Sequence, residues 1–119
     1  MYTYRATLAR VVDGDTVDVE TDFGFFLRQR MRLRLAGVNT PEMRGPEREA
    51  GKAARAFVRE RLEAADRIVI RTTKKGKYGR FVADLWYGDE SIPWEEMTER
   101  GTNLNAELLA EGQAVEIGR

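Results

Sequence analysis

Residues 30–35, Arg-Met-Arg-Leu-Arg-Leu, alternate a cation with an apolar side chain without a break. Side chains of an extended chain point to opposite faces in turn. This period of two therefore demands a strand with Met31, Leu33 and Leu35 facing a core and Arg30, Arg32 and Arg34 facing water. A helix would scatter the same arginines around its circumference. The rest of the chain must then supply the sheet and the core that this strand completes.

The strand is predicted to run from Phe25 to Ala36. Two more precede it, at 2–12 and 16–21, the latter with Val17 and Val19 on one face. Asp13-Gly14-Asp15 and Asp22-Phe23-Gly24 are the turns between them. A loop over 37–46, closed by Gly45-Pro46, leads to a helix from Glu47 to Ala65. Its apolar stripe is Ala50, Ala54, Phe57, Val58, Leu62 and Ala65, and early Glu47 and Glu49 suit the helix dipole. Strands follow at 67–72, with Ile68 and Ile70 inward, and at 81–87, joined by a basic turn from Thr73 to Arg80. Residues 88–102 read as a long acidic loop with Pro93 and Trp94. A short helix, Leu104 to Glu111, is capped by Asn103 or Thr102 and stopped by Gly112. The tail from Gln113 adds a little extended chain. Strands and helices in this order give an α+β domain over residues 1–119. An OB-fold five-stranded Greek-key β-barrel with two helices fits that order.

The chain has no cysteine and no histidine. Thiolate chemistry, sulfur-held zinc and imidazole bases are thereby excluded. Catalysis is left to carboxylates, Arg, Lys, Tyr or a metal held by oxygen. The net charge is zero, but residues 1–83 carry +7 and residues 84–119 carry −7. The basic part suits a polyanion. No apolar run is long enough to cross a membrane, and no membrane partner is expected. The first residues lack an apolar leader core, so the expected location is cytoplasmic, with secretion open if a leader has been removed.

Two short acidic motifs stand at strand ends. Asp13-Gly14-Asp15-Thr16 reads by itself as a turn, and the competing use is a source of oxygen ligands for a hard cation. In Asn39-Thr40-Pro41-Glu42, Pro41 fixes its own φ and biases Thr40 toward extended backbone, so successive groups point in set directions. Lys74 to Arg80, "KKGKYGR", holds five positive charges when Arg71 is included and no acid, which suits phosphate. Trp86 is expected in the core and Trp94 packed on its loop. Stacking on a base is the competing use of Trp86, Tyr87 or Trp94.

Taken in order, "VVDGDTV", "RLAGVNTPE", Gly51-x-x-Ala54-x-x-Phe57, "KYGR" and "NLNAELLAEGQA" resemble the staphylococcal-nuclease-like (thermonuclease) family from about Ala6 to Ala114. The resemblance implies a Ca²⁺-dependent hydrolase of DNA and RNA that leaves 3′-phosphates. It implies one metal site, open to other divalent ions. Asp15, Asn39 and the Thr40 carbonyl would be its ligands, with Asn39 standing where well-known members have an aspartate. It implies Glu42 as general base, Arg34 and Arg80 as phosphate-binding stabilisers of the transition state, and Lys77 and Tyr78 as contacts to a terminal phosphate. Single-stranded DNA and RNA are the expected substrates and a monomer the expected state. The family's last helix and base-stacking tyrosines are missing past Ile117, while 88–102 looks like an insertion. The alternative is an OB-type module that binds nucleic acid or protein without cutting.

Overall fold

The computed structural model describes residues 2–75 and 81–117, with side chains described for 2–72 and 81–117. Five strands build the barrel: β1 (Tyr2–Asp13), β2 (Thr16–Asp22), β3 (Arg28–Leu35), β5 (Arg67–Lys75) and β6 (Phe81–Gly88). The remaining elements are β4 (Val38–Asn39), α1 (Arg48–Ala64), α2 (Met97–Arg100), β7 (Thr102–Asn103), α3 (Leu104–Ala110) and β8 (Val115–Glu116). The sheet order is β3-β2-β1-β5-β6, and β3 pairs again with β6. That last pairing is parallel, Leu33 with Phe81 to Leu35 with Ala83, and it closes the barrel. All other barrel pairs are antiparallel. A parallel seam cannot be made by a hairpin, and the chain reaches it through α1 and β5. Closure leaves the barrel without a free edge at this seam. The expected α+β, OB-like five-stranded barrel is thus the observed one.

Val17, Val19, Met31, Leu33, Leu35, Ile68, Ile70 and Leu85 fill the interior. Helix α1 contributes Val58 and Leu62, and α3 adds Leu104 and Leu108. Val69 points the other way from Ile68 and Ile70, as the strand period requires. It joins Trp86 and Met97 in a second cluster outside the barrel wall, with Ile92 and Trp94 packed on it. Trp86 is buried and Trp94 half-buried. The guanidiniums of Arg5 and Arg67 lie 4.6 and 4.9 Å from the Trp94 ring centre. The indoles thus pack the region of 88–102 rather than stand free.

Several boundaries differ from expectation. Residues 88–102 are not all loop: they hold a 3₁₀ turn, Trp94–Glu96, then α2 and β7. Strand β5 continues to Lys75, so the basic segment begins inside the sheet. One 3₁₀ turn, Gly45–Glu47, leads into α1, and its buried positions are Gly51, Ala54, Val58 and Leu62. Ala50 is exposed and Phe57 only half-buried, because Gly51 takes the helix's closest approach. Asn103 is the α3 cap, accepting from the Ala106 N–H at 2.8 Å, and Gly112 follows at φ +71°.

The largest difference is at the β2–β3 turn. Strand β3 starts at Arg28, not Phe25. Phe23 N–H donates to the Leu27 carbonyl at 2.9 Å and Leu27 N–H to Gly24 at 2.8 Å. Phe25 and Phe26 then take φ of +54° and +64°. The strict alternation begins only at Arg30, and nothing in Phe25-Phe26-Leu27 extends it. The arginine face is not simply solvated either. Arg32 forks onto the buried Asp18 carboxylate at 2.8 and 3.1 Å, Arg30 reaches the same carboxylate at 3.5 Å, and Arg28 lies 3.6 Å from Glu20. Cross-strand pairing of opposite charges stabilises the hairpin.

Candidate active site

Three stretches far apart in sequence meet because small residues let them. A Cβ on Gly14 would sit 2.8 Å from Thr40 Cγ2 and 2.9 Å from Ala54 Cβ. A Cβ on Gly51 would sit 2.2 Å from the Glu42 carbonyl oxygen. Helix α1 therefore seats both the Asp13–Asp15 turn and the Thr40–Glu42 loop at backbone distance. Gly37, at φ +74°, turns the chain out of β3 toward that loop. The loop is strapped from its other side: β4 pairs with β8, Asn39 opposite Val115, and Ile117 N–H donates to the Gly37 carbonyl at 3.0 Å. A pocket of about 110 Å³ lies behind it, lined by Asn39, Thr40, Pro41 and Glu47 with Gly112 to Val115.

Asp15 is the buried centre. Its Oδ2 accepts the Thr40 N–H at 3.0 Å and lies 3.4 Å from Arg34 Nη2. Its Oδ1 accepts the Thr16 hydroxyl at 3.2 Å. Arg34 Nη1 donates to the Leu35 carbonyl at 3.0 Å, and its Nη2 donates to Asn39 Oδ1 at 3.2 Å. One guanidinium nitrogen thus faces both the Asp15 and the Asn39 oxygen. The two oxygens converge on one point.

The two acids of the turn are pushed apart. Burial, reinforced by hydrogen bonding and charge from Asp15, raises Asp13 from its ordinary 3.8 to about 6. Burial alone would raise Asp15 too. Hydrogen bonds from Asp13 and the Thr40 N–H, and the charge of Arg34, outweigh it and hold Asp15 below its ordinary value. Asp13 Oδ1 also accepts the Asp15 N–H at 3.1 Å. Asp15 is the ionised member and Asp13 the acid behind it.

Glu42 is exposed at the edge of this group. Its backbone N–H donates to Glu47 at 3.3 Å, while its carboxylate makes no hydrogen bond or ion pair among the described residues. The structure therefore brings together Asp15, Arg34, Asn39 and Thr40, with Glu42 three residues beyond Asn39. Lys77, Tyr78 and Arg80 lie outside the described residues. Among the described residues no three acids converge as a metal cage.

The sequence reading did not single out Asn105. This buried α3 residue donates from Nδ2 to the carbonyls of Ala36 and Ala83 at 2.9 and 3.2 Å, and its Oδ1 accepts the Leu85 N–H at 3.1 Å. It fastens the β3–β6 seam where the chain leaves toward Asn39. An amide on the apolar side of a helix, one place after Leu104, was the available signal.

Residues 32–118 match the model of the staphylococcal nuclease homologue family. The chain belongs to that family. It is 40% identical over 85 residues to a thermonuclease of Staphylococcus intermedius, covering 68% of this chain and 48% of that protein. It is 35% identical over 103 residues to a thermonuclease of Staphylococcus hyicus, covering 83% and 56%. It is 32% identical over 114 residues to a micrococcal nuclease of Shigella flexneri, covering 93% and 57%. The chain spans about half the length of these curated relatives.

Proposed function

We propose that the chain is a metal-dependent nuclease that hydrolyses phosphodiester bonds of single-stranded DNA and RNA. The observation that carries this reading is the convergence of Asp15 Oδ2 and Asn39 Oδ1 on Arg34 Nη2, at 3.4 and 3.2 Å. Oxygen donors and a guanidinium share one point, which is what a phosphate held beside a hard cation requires.

Asp15, Asn39 and the Thr40 carbonyl are an all-oxygen donor set, and this chemistry fits Ca²⁺ or another hard divalent ion. When bound, the ion supplies positive charge next to the scissile phosphate. Arg34 donates its planar fork to the phosphate oxygens as negative charge grows on them. Its Nη1 bond to the Leu35 carbonyl fixes that fork before substrate arrives. Asp15 is held ionised by Thr40 and Arg34. Glu42, exposed and without an ion pair among the described residues, takes the proton from attacking water. By the family resemblance, Arg80 is the second guanidinium, and Lys77 and Tyr78 contact a terminal phosphate. A 3′-phosphate is the expected product.

Asn39 brings an oxygen without a charge. A set with one carboxylate at its focus binds Ca²⁺ less tightly than one with two. Asn39→Asp is expected to tighten Ca²⁺ binding in calorimetry.

The reading is tested by incubating the protein with single-stranded DNA and RNA in Ca²⁺, Mg²⁺ or EDTA. Metal-dependent cleavage is expected, reduced about 10²–10⁴-fold in Glu42→Gln. Binding without cleavage under every metal would leave the non-catalytic module as the function.

A further inference from the structure

Among the described residues, the β2–β3 turn presents the two most exposed large apolar side chains, Phe25 at 93% and Phe26 at 103%, followed in the chain by Leu27 at 62%. Both phenylalanines occupy the central positions of a two-residue turn at positive φ. Such turns favour Asn-Gly, and a bulky side chain there is strained. Folding alone therefore selects against Phe25-Phe26 twice, by strain and by exposure. A pair kept against both is kept for what it touches.

The surroundings are graded along the strands. Tyr4 packs edge-on against Phe23 at 5.0 Å and Tyr2 lies 6.3 Å from Tyr4, so an aromatic band sits beside the turn. Next come the arginines. Asp22 is level with both Arg5 and Arg28, Glu20 with Arg30, and Thr3 with Arg71. On these rungs four arginines face three acids, Asp22, Glu20 and, level with Arg71, Asp84, and one of the acids, Asp22, is engaged by the Gly24 N–H at 2.8 Å. The Arg28 and Arg30 side chains remain 56% and 63% exposed. Arg30 stands three residues behind Leu27, about 10 Å along a strand. Interfacial segments bury to about 5–10 Å below lipid headgroups.

We propose that this turn docks the protein on an anionic phospholipid surface, with Phe25, Phe26 and Leu27 in the acyl boundary and Arg5, Arg28 and Arg30 at the phosphates. Apolar tip, aromatic band and cations follow one another in the order of the interface they would enter. The site departs from the sequence expectation of no membrane partner, which considered only spanning segments. A single nucleic-acid strand is the weaker fit. Bases stack on ring faces along a groove, whereas this is a convex tip in which Leu27 offers no stacking face.

The test is co-sedimentation with vesicles of mixed phosphatidylglycerol and phosphatidylcholine at low ionic strength, beside pure phosphatidylcholine vesicles. The wild-type chain should sediment with the anionic vesicles and much less with the neutral ones. Phe25→Asn combined with Phe26→Gly installs the favoured turn. It should melt at a higher temperature than wild type and partition about a hundredfold less, since two phenylalanine burials are lost. Phe25→Ala with Phe26→Ala repeats the test without altering the turn's glycine content. The proposal is overturned by wild-type protein that stays in the supernatant, or by variants that bind vesicles equally well. It is likewise overturned if the tip variants change only oligonucleotide binding, or only self-association in velocity sedimentation.

Discussion

The two ends of the β2–β3 hairpin break opposite rules of folding. At the Thr16–Arg34 end, charged groups are buried: Asp15 is 7% exposed and Asp18 5%. At the Asp22–Arg28 end, aromatic groups are fully exposed. The buried carboxylates are satisfied in detail, by Thr40, Thr16 and Arg34 in one case and by Arg32 and Arg30 in the other. Among the described residues nothing covers the exposed phenylalanines. One end is thus satisfied within the fold and the other is left open to its surroundings. Departures from local folding rules concentrate where a protein acts, and one hairpin carries two of them about 20 Å apart by strand rise.

The sharpest way to break this contrast is to remove an arginine from one end and then from the other. Arg34→Ala should lower cleavage about 10²–10³-fold with folding intact, as loss of a preorganised donor does. Rates on a labelled oligonucleotide, beside a circular-dichroism melt, check it. Asn105→Ala should come next. It removes the side-chain partner of the Ala36 carbonyl and of the Leu85 N–H, while the Ala83 carbonyl keeps the Ala36 N–H, and should cost about 2–3 kcal/mol in denaturant unfolding. Asp13→Asn tests the burial of charge. Asp13 holds its proton to about pH 6 when folded and to 3.8 otherwise. Stability from this group is therefore greatest below 3.8 and falls as pH rises from 3.8 to about 6. In EDTA the variant should be about 1 kcal/mol more stable than wild type above pH 6, the shift being discounted for partial solvent screening. Asp15 and Asp18, held low, act oppositely, and their contributions disappear as pH falls below 3.8. Arg28→Ala, at the exposed end, should leave both cleavage and stability nearly unchanged, within about 0.5 kcal/mol in the same melts.

The barrel was legible because the strands alternate: Met31, Leu33 and Leu35 announced an inward face, as did Val17 with Val19 and Ile68 with Ile70. The grouping of Asp15, Arg34, Asn39 and Thr40 was legible only through the order of the motifs, since nothing local says that 13–16 and 39–42 touch. The turn at 24–27 was misread because an apolar run looks like strand, and positive φ at phenylalanine has no sequence signature. The Asp18 pairing was hidden in the same way. A lone acid among valines reads as solvent-facing until a partner strand with arginines in register is known. Asn105 was quoted inside a motif, yet its three bonds depend on a seam between β3 and β6 that no local pattern announces.

The strap that β8 lays on β4 has a consequence in time. During synthesis the residues that gather around Asp15 emerge by Glu42, but Asn105, Val115 and Ile117 come more than sixty residues later. Until those last segments dock, the loop bearing Asn39 has no partner strand and the seam beside Ala36 has no amide to close it. The growing chain can collapse its hairpins early, yet the constellation at their base takes its final shape only once the segments bearing Asn105, Val115 and Ile117 have emerged.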